Sequence, residues 1–147
     1  MLTLRTILVP TDFSEPAVAA LDYAVALAVP LAATVHLLNV VDLQGPHLSD
    51  LGAALTTEMI DSILAGNKAA LIRLAEARRA TGRIGELLLR TGDPRDVIDE
   101  VARQLKADLI VMGTHGRRGV VRLMMGSVAE TLVRTASCPV LTVRPPL

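Results

Sequence analysis

The chain has 147 residues, 51% of them hydrophobic, with 15 Lys and Arg against 15 Asp and Glu and only one Phe, one Tyr and no Trp. That length lets one domain over residues 1–147 bury roughly 68 to 70% of its unfolded surface without help from a disulfide or a metal. Balanced charge supplies no field for nucleic acid or an anionic membrane, and the shortage of rings leaves little to stack on bases.

TILVP, residues 6–10, is a short β-branched apolar run and predicts the first strand. SEPAVAALDYAVALA follows with apolar residues at helical spacing, Ser14 as N-cap and Glu15 and Pro16 in the first turn. The stretch from Tyr23 to Val41 is greasy enough to be weighed as a membrane span. A span needs about 20 consecutive apolar residues, and Pro30, Thr34, His36 and Asn39 interrupt this one. It reads instead as a helix, a break at Pro30, and the buried strand TVHLLNVV. A polar segment around Gln44 to Asp50 then leads into a long helical region ending near Thr81, with an interruption expected at Gly66 and Asn67. IGELLLR is the third strand. Asp93 and Pro94 cap and start the helix PRDVIDEVARQLK, and ADLIVMG is a fourth strand that runs into Gly113. SVAETLVRTA is the last helix and CPVLTVR the last strand.

Five near-continuous apolar strands alternating with four helical regions predict an α/β fold: an open parallel five-stranded sheet with helices on both faces, Rossmann-like, in the order 3-2-1-4-5. Ligands of such sheets sit beyond the carboxyl ends of the strands, where the order reverses. This order makes PTDFSE, after strand one, and GTHGRRG, after strand four, neighbours across that point.

Gly113 and Gly116 let backbone amides approach an anion without a Cβ in the way, and Gly126 with Ser127 places amides and a hydroxyl at the start of the last helix. A phosphate suits that arrangement. The same residues also fit a plain turn followed by an S-x-x-E capping box of Ser127 and Glu130. Asp12 suits ribose hydroxyls or an adenine amino group as an acceptor, and equally suits the start of a helix, as do Thr11 and Ser14. Arg117, Arg118 and Arg122 either meet phosphate oxygens or form a solvated face. The three His and Cys138 lack metal-ligand spacing, no G-x-S-x-G elbow is present, and no P-loop Lys follows the glycines. The single cysteine and the lack of a charged-then-apolar leader before Pro10 suit a reducing cytoplasm.

The order ILVPTDFSEPA, LLNVVD, TGDPRDVI, DLIVMGTHGRRG, nine residues between Gly116 and Gly126, and GSVAETLVRTASCPVLTVR resembles the universal stress protein family in its ATP-binding branch. The resemblance covers nearly the whole chain and is weakest between Gln44 and about Leu71. It implies that Asp12 faces adenine or ribose, with Pro10 and Thr11 shaping the same wall, that Val40 contacts adenine, and that Met112 and Gly113 line the ribose side. Gly116, Gly126, Ser127 and Val128 would hold the triphosphate of ATP, with Arg117 beside it and a Mg or Mn ion. The family's usual homodimer implies a partner chain of the same kind, and physics supplies a surface for it: the last strand ends the sheet, leaving the Val140 to Arg144 edge unpaired. Two departures stand out, Asn39 where many relatives have His, and Pro30 where relatives tend to continue the helix.

Three functions are consistent with these residues: a cytoplasmic ATP-binding regulatory protein of the stress response, a slow ATPase or self-phosphorylating enzyme, and a dimerising module that needs no ligand. The glycines and Asp12 favour the first. The missing P-loop Lys, kinase motifs and general base count against the second.

Overall fold

The computed structural model describes residues 3–49, 54–115 and 125–145. Among them the elements run β1 (Thr6–Pro10), α1 (Glu15–Leu31), β2 (Thr34–Val41), α2 (Pro46–Ser49), α3 (Thr57–Glu76), β3 (Arg83–Thr91), α4 (Pro94–Leu105), β4 (Leu109–Gly113), α5 (Ser127–Thr135) and β5 (Val140–Val143). The strands form one sheet in the order β3-β2-β1-β4-β5, parallel at every pairing. The fold is therefore the one expected.

Side chains alternate across β1 and so divide the core. Ile7 and Val9 join Val35, Leu37 and Val111 under α1 and α3, whereas Leu8 joins Leu38, Ile110 and Met112 under α4 and α5. Both faces are covered, which is why the central strands are continuously apolar rather than alternating. Burying each such Leu, Ile or Val is worth about 1.5–3 kcal/mol.

Local chemistry sets the helix ends. Ser14 caps α1 by accepting from the Ala17 amide, Thr56 caps α3 through the Met59 amide, and Asp93 caps α4 through the Arg95 amide, with Pro94 in its first turn. Helices α1 and α4 close with the same motif. The amide of Ala33 donates to the Ala28 carbonyl and that of Ala107 to the Ala102 carbonyl, behind Ala32 and Lys106 in left-handed conformation, each at φ 52°. Pro30 does not break α1 as expected; it sits in the last turn, where its missing N–H deprives only the carbonyl of Ala26, an exposed residue. Nor do Gly66 and Asn67 interrupt α3, which runs through both. A glycine inside a helix costs only about 1 kcal/mol against alanine, and the packing of Leu71 and Ala75 into the core outweighs it.

Two polar contacts fix the outer strands. At a register shift in the β2–β3 pairing, His36 Nδ1 accepts the Glu86 amide at 3.0 Å, and Gly85 makes room for the ring, since a Cβ there would stand 2.6 Å from His36 Cε1. Burial, opposed by the Glu86 carboxylate, holds the His36 pKa below the ordinary histidine value. Asp99, on α4, accepts the Ser137 amide at 2.8 Å and pairs with Arg103, which ties α4 to the approach of β5. Burial pushes its carboxyl up, but the hydrogen bonds from Ser137 and the charge and donors of Arg103 hold it below the usual carboxylate range.

Two exposed positions carry avoidable backbone cost. A Cβ at Gly66 would meet nothing within 4 Å, and Lys106 occupies a conformation that glycine adopts without strain. Gly66→Ala and Lys106→Gly should each raise stability by about 0.5–1 kcal/mol, additively, read as a shift of a few degrees in thermal unfolding.

Candidate functional site at the carboxyl ends of β1 and β4

The loop after β1 is built by short side chains that bond back to their own backbone. Thr11 Oγ1 accepts the Phe13 amide at 3.1 Å, Asp12 Oδ1 accepts the Ser14 amide at 3.0 Å, and the Ser14 hydroxyl donates to the same Asp12 oxygen. Such turns are what Asp, Ser and Thr offer in place of a ladder. The chain reverses tightly enough that Phe13 takes φ 66°, a left-handed conformation that costs a non-glycine residue roughly 1–3 kcal/mol and is concentrated at functional loops. Asp12 thus performs the helix-start role open to it from the sequence.

On the other side, β4 delivers Gly113 and Thr114. The Thr114 amide donates to the Val143 carbonyl at 3.2 Å, and the Thr114 carbonyl accepts from the Gly126 amide at 2.6 Å. That last bond draws together the two ends of the glycine loop. Gly126 is the N-cap of α5, with φ −63°, and makes no side-chain capping bond. The capping box of Ser127 and Glu130 does not form: Ser127 is already the first helical residue and exposed, and Glu130 pairs with Arg134 at 2.9 Å. Among the described residues no side chain caps the first amides of α5, the condition under which a helix start favours an anion.

The remaining expected residues sort by burial. Pro10 and Thr11 are buried, and Met112 packs in the core with Leu8 and Ile110, so these three can offer a ligand mainly backbone. Val40 and Val128 are half-buried against the same cluster. Gly113 has a separate duty, since a Cβ there would lie 3.1 Å from the Pro16 carbonyl group at the start of α1. Gly116, Arg117, Arg118 and Arg122 lie outside the described residues. Among the described residues no group of three or more His, Cys, Asp or Glu is placed to hold a metal; a Mg or Mn ion would find its oxygens on a polyphosphate. Two open grooves elsewhere, of about 450 Å³ between α4 and α5 and about 480 Å³ beyond β2 and β3, are lined by none of the residues proposed from the sequence to contact a ligand.

Asn39, which stood out in the sequence as a departure from relatives, joins the site through a partner that was not singled out for it, Asn67. Asn39 Nδ2 donates to the Thr11 carbonyl at 2.8 Å, and Asn67 Nδ2, on α3, donates to Asn39 Oδ1 at 3.0 Å. The signal in the sequence was an asparagine inside the apolar run of β2 and another in α3, there read as a helix breaker.

The model of the universal stress protein family matches residues 3–144. The chain belongs to that family. It is 36% identical over 143 residues to a universal stress protein of Methanocaldococcus jannaschii, covering 97% of this chain and 83% of the relative. The solved universal stress protein of Lactobacillus plantarum superposes with a TM-score of 0.80 at 30% identity, over 95% of this chain and 97% of that one. Two other solved members carry adenine nucleotides: a universal stress protein in complex with cAMP (TM-score 0.66, 25% identity, 97% and 98% covered) and one from Archaeoglobus fulgidus in complex with dAMP (TM-score 0.64, 25% identity, 97% and 98% covered). Among the described residues no helix is long and apolar enough to cross a membrane.

The crowding at Gly113 separates fold from ligand. Gly113→Val should destabilise the protein by about 1–3 kcal/mol with no nucleotide present, because the branched side chain meets the Pro16 backbone. Asp12→Ala should cost about 1 kcal/mol and Asp12→Asn much less, since Asn keeps the oxygen that closes the turn. Urea unfolding of the ligand-free variants measures all three.

Proposed function

We propose that this chain acts as one domain over residues 1–147 in the cytoplasm, binding ATP between the Asp12 loop and the glycine loop as a regulatory protein of the stress response. The observation that carries the reading is the placement of two different anchors on either side of the β1–β4 junction. An acidic turn stands at the end of β1, and beyond β4 stand helix-start amides that, among the described residues, no side chain caps. An acceptor on one side suits ribose and base; donors on the other suit phosphate. Nucleotides held by two solved members of the family support the same ligand class. In this arrangement Asp12 accepts from the nucleoside, Ser127 and Val128 face the phosphates through their amides, Gly126, whose own amide is held by the Thr114 carbonyl, leaves room for the phosphates to approach without a Cβ, Val40 lies against the base, and Gly116 and Arg117 belong to the phosphate loop. Bound polyphosphate supplies the charge that a Mg or Mn ion requires; the chain's own part is binding and orientation.

Asp12→Asn tests this cleanly, because the turn survives the change. The variant should lose about one to two orders of magnitude in affinity for ATP and for adenosine alike, the cost of one charge-assisted hydrogen bond. Its affinity for inorganic triphosphate should stay nearly unchanged. Calorimetry decides the matter: normal ATP affinity together with loss of a clear wild-type hydrolysis rate would replace the regulatory reading by an enzymatic one.

A homodimer through β5 completes the proposal. This strand ends the sheet, and all four of its residues are only partly buried. The carbonyls of Pro139 and Val143 accept from β4, so Thr142, out of phase with them, turns its amide and carbonyl to the open edge. Pairing with β5 of a second copy about a twofold axis would satisfy those groups. Thr142→Pro removes an outward donor while sparing the β4 ladder. Sedimentation should show a wild-type dimer and a folded monomeric variant; a wild-type monomer at high concentration, or a dimer indifferent to the proline, refutes the interface.

A further inference from the structure

Thr11 is where β1 stops pairing in the regular way. Its amide still donates to the Leu38 carbonyl at 2.8 Å, but its own carbonyl accepts from the side chain of Asn39. Both residues are buried, with Asn39 only 4% exposed. A carbonyl can only accept, so Asn39 must present Nδ2 to it, and its Oδ1 is left facing α3. There it can only accept in turn, which obliges Asn67 to present Nδ2. The two amides form a chain of fixed polarity from the surface of α3 to the peptide that joins Thr11 to Asp12. That peptide sets the plane from which the Asp12 turn departs. Neither asparagine belongs to the turn itself.

We propose that Asn67 is a positioning residue for the nucleoside end of the site. It acts through Asn39 on the Thr11–Asp12 peptide and so makes α3, which holds none of the proposed contacts, a determinant of adenosine affinity. The inference rests on the nucleotide reading above. With Asn67 truncated, Asn39 loses the bond that fixes its amide, and the Thr11 carbonyl loses a donor held in one orientation. The phosphate end is anchored by Gly126 and Thr114 and stands outside this chain of bonds.

The test is Asn67→Ala in the full chain. Truncating Asn67 leaves the buried Asn39 Oδ1 without its donor, which outweighs the better helix propensity of alanine, so a purely structural role lowers thermal stability and leaves binding by the folded protein unmoved. The expected result is instead a two- to tenfold loss of adenosine affinity, roughly the effect of one neutral hydrogen bond, with inorganic triphosphate affinity unchanged. In an Asp12→Asn background the same substitution should have a smaller effect on adenosine, since both act through one group. Asn67→Ala that binds adenosine like the wild type, or weakens adenosine and triphosphate equally, overturns the inference and leaves the nucleotide reading standing. A wild-type protein that binds neither adenosine nor ATP overturns both.

Discussion

Strand β1 lies beside β4, yet the helix that leaves β1 packs on one face of the sheet and the helix that leaves β4 packs on the other. Right-handed crossovers impose this: α1 and α3 carry the chain outward through β2 to β3, while α4 and α5 carry it through β4 to β5. Among the described residues no connection crosses the gap between the carboxyl ends of the two central strands, and the loops that leave β1 and β4 edge it. The opposite end of the same pair is closed. There Asp108 accepts the amides of Arg5 and Thr6 at 2.8 and 2.9 Å, and its own amide donates to the Thr6 carbonyl. One pair of strands is thus sealed at its amino end and open at its carboxyl end, which places residues from the first and last quarters of the chain around one opening.

Much of this was legible because local and global signals agree. Ser14, Asp93 and Pro94 punctuate helices in the sequence and do so in the structure, and runs such as LIVM mark strands covered on both faces. The errors came where local chemistry was ambiguous. Gly66 and Asn67 look like a breaker, but tertiary packing through Leu71 and Ala75 holds α3 straight through them. Ser127 and Glu130 have the spacing of a capping box. A long-range bond from the Gly126 amide to the Thr114 carbonyl fixes where α5 begins, one residue earlier than that box requires. No window of local sequence contains that bond.

The candidate site was legible in its anchors and opaque in its supports. Asp12 and Gly113 stand out by type and position, yet each also has a structural duty. Asp12 closes the turn before α1, and Gly113 lets β4 pass the first turn of the same helix. The fold by itself asks for these residue types at both positions, whatever a ligand would add. Asn39 stood out only as a departure from relatives and Asn67 only as a helix breaker, and the contacts they make were opaque for the opposite reason. Their work is to hold a peptide plane through contacts 28 residues apart in sequence, and asparagine in a helix or strand carries no periodic signature.

Burial decides what kind of surface the opening presents. Pro10, Thr11 and Met112 are buried, so around the ends of β1 and β4 the available groups are mostly main-chain amides and carbonyls. Main-chain recognition is tolerant of side-chain identity and intolerant of peptide rotation, because a hydrogen bond weakens steeply once its donor swings out of line. A site of this kind is specified less by the residues that face the ligand than by those that stop the backbone from turning. In the β1 loop that restraint comes from three sources: the Thr11 and Asp12 side chains bonding forward along the chain, the strained Phe13 held by core packing, and the two asparagines reaching across from β2 and α3. The first is local and would shape the turn in a short peptide, whereas the second needs the core around Phe13. The third exists only when β2 and α3 are in place, so the final orientation of the Thr11–Asp12 peptide is a property of the assembled sheet and its helices.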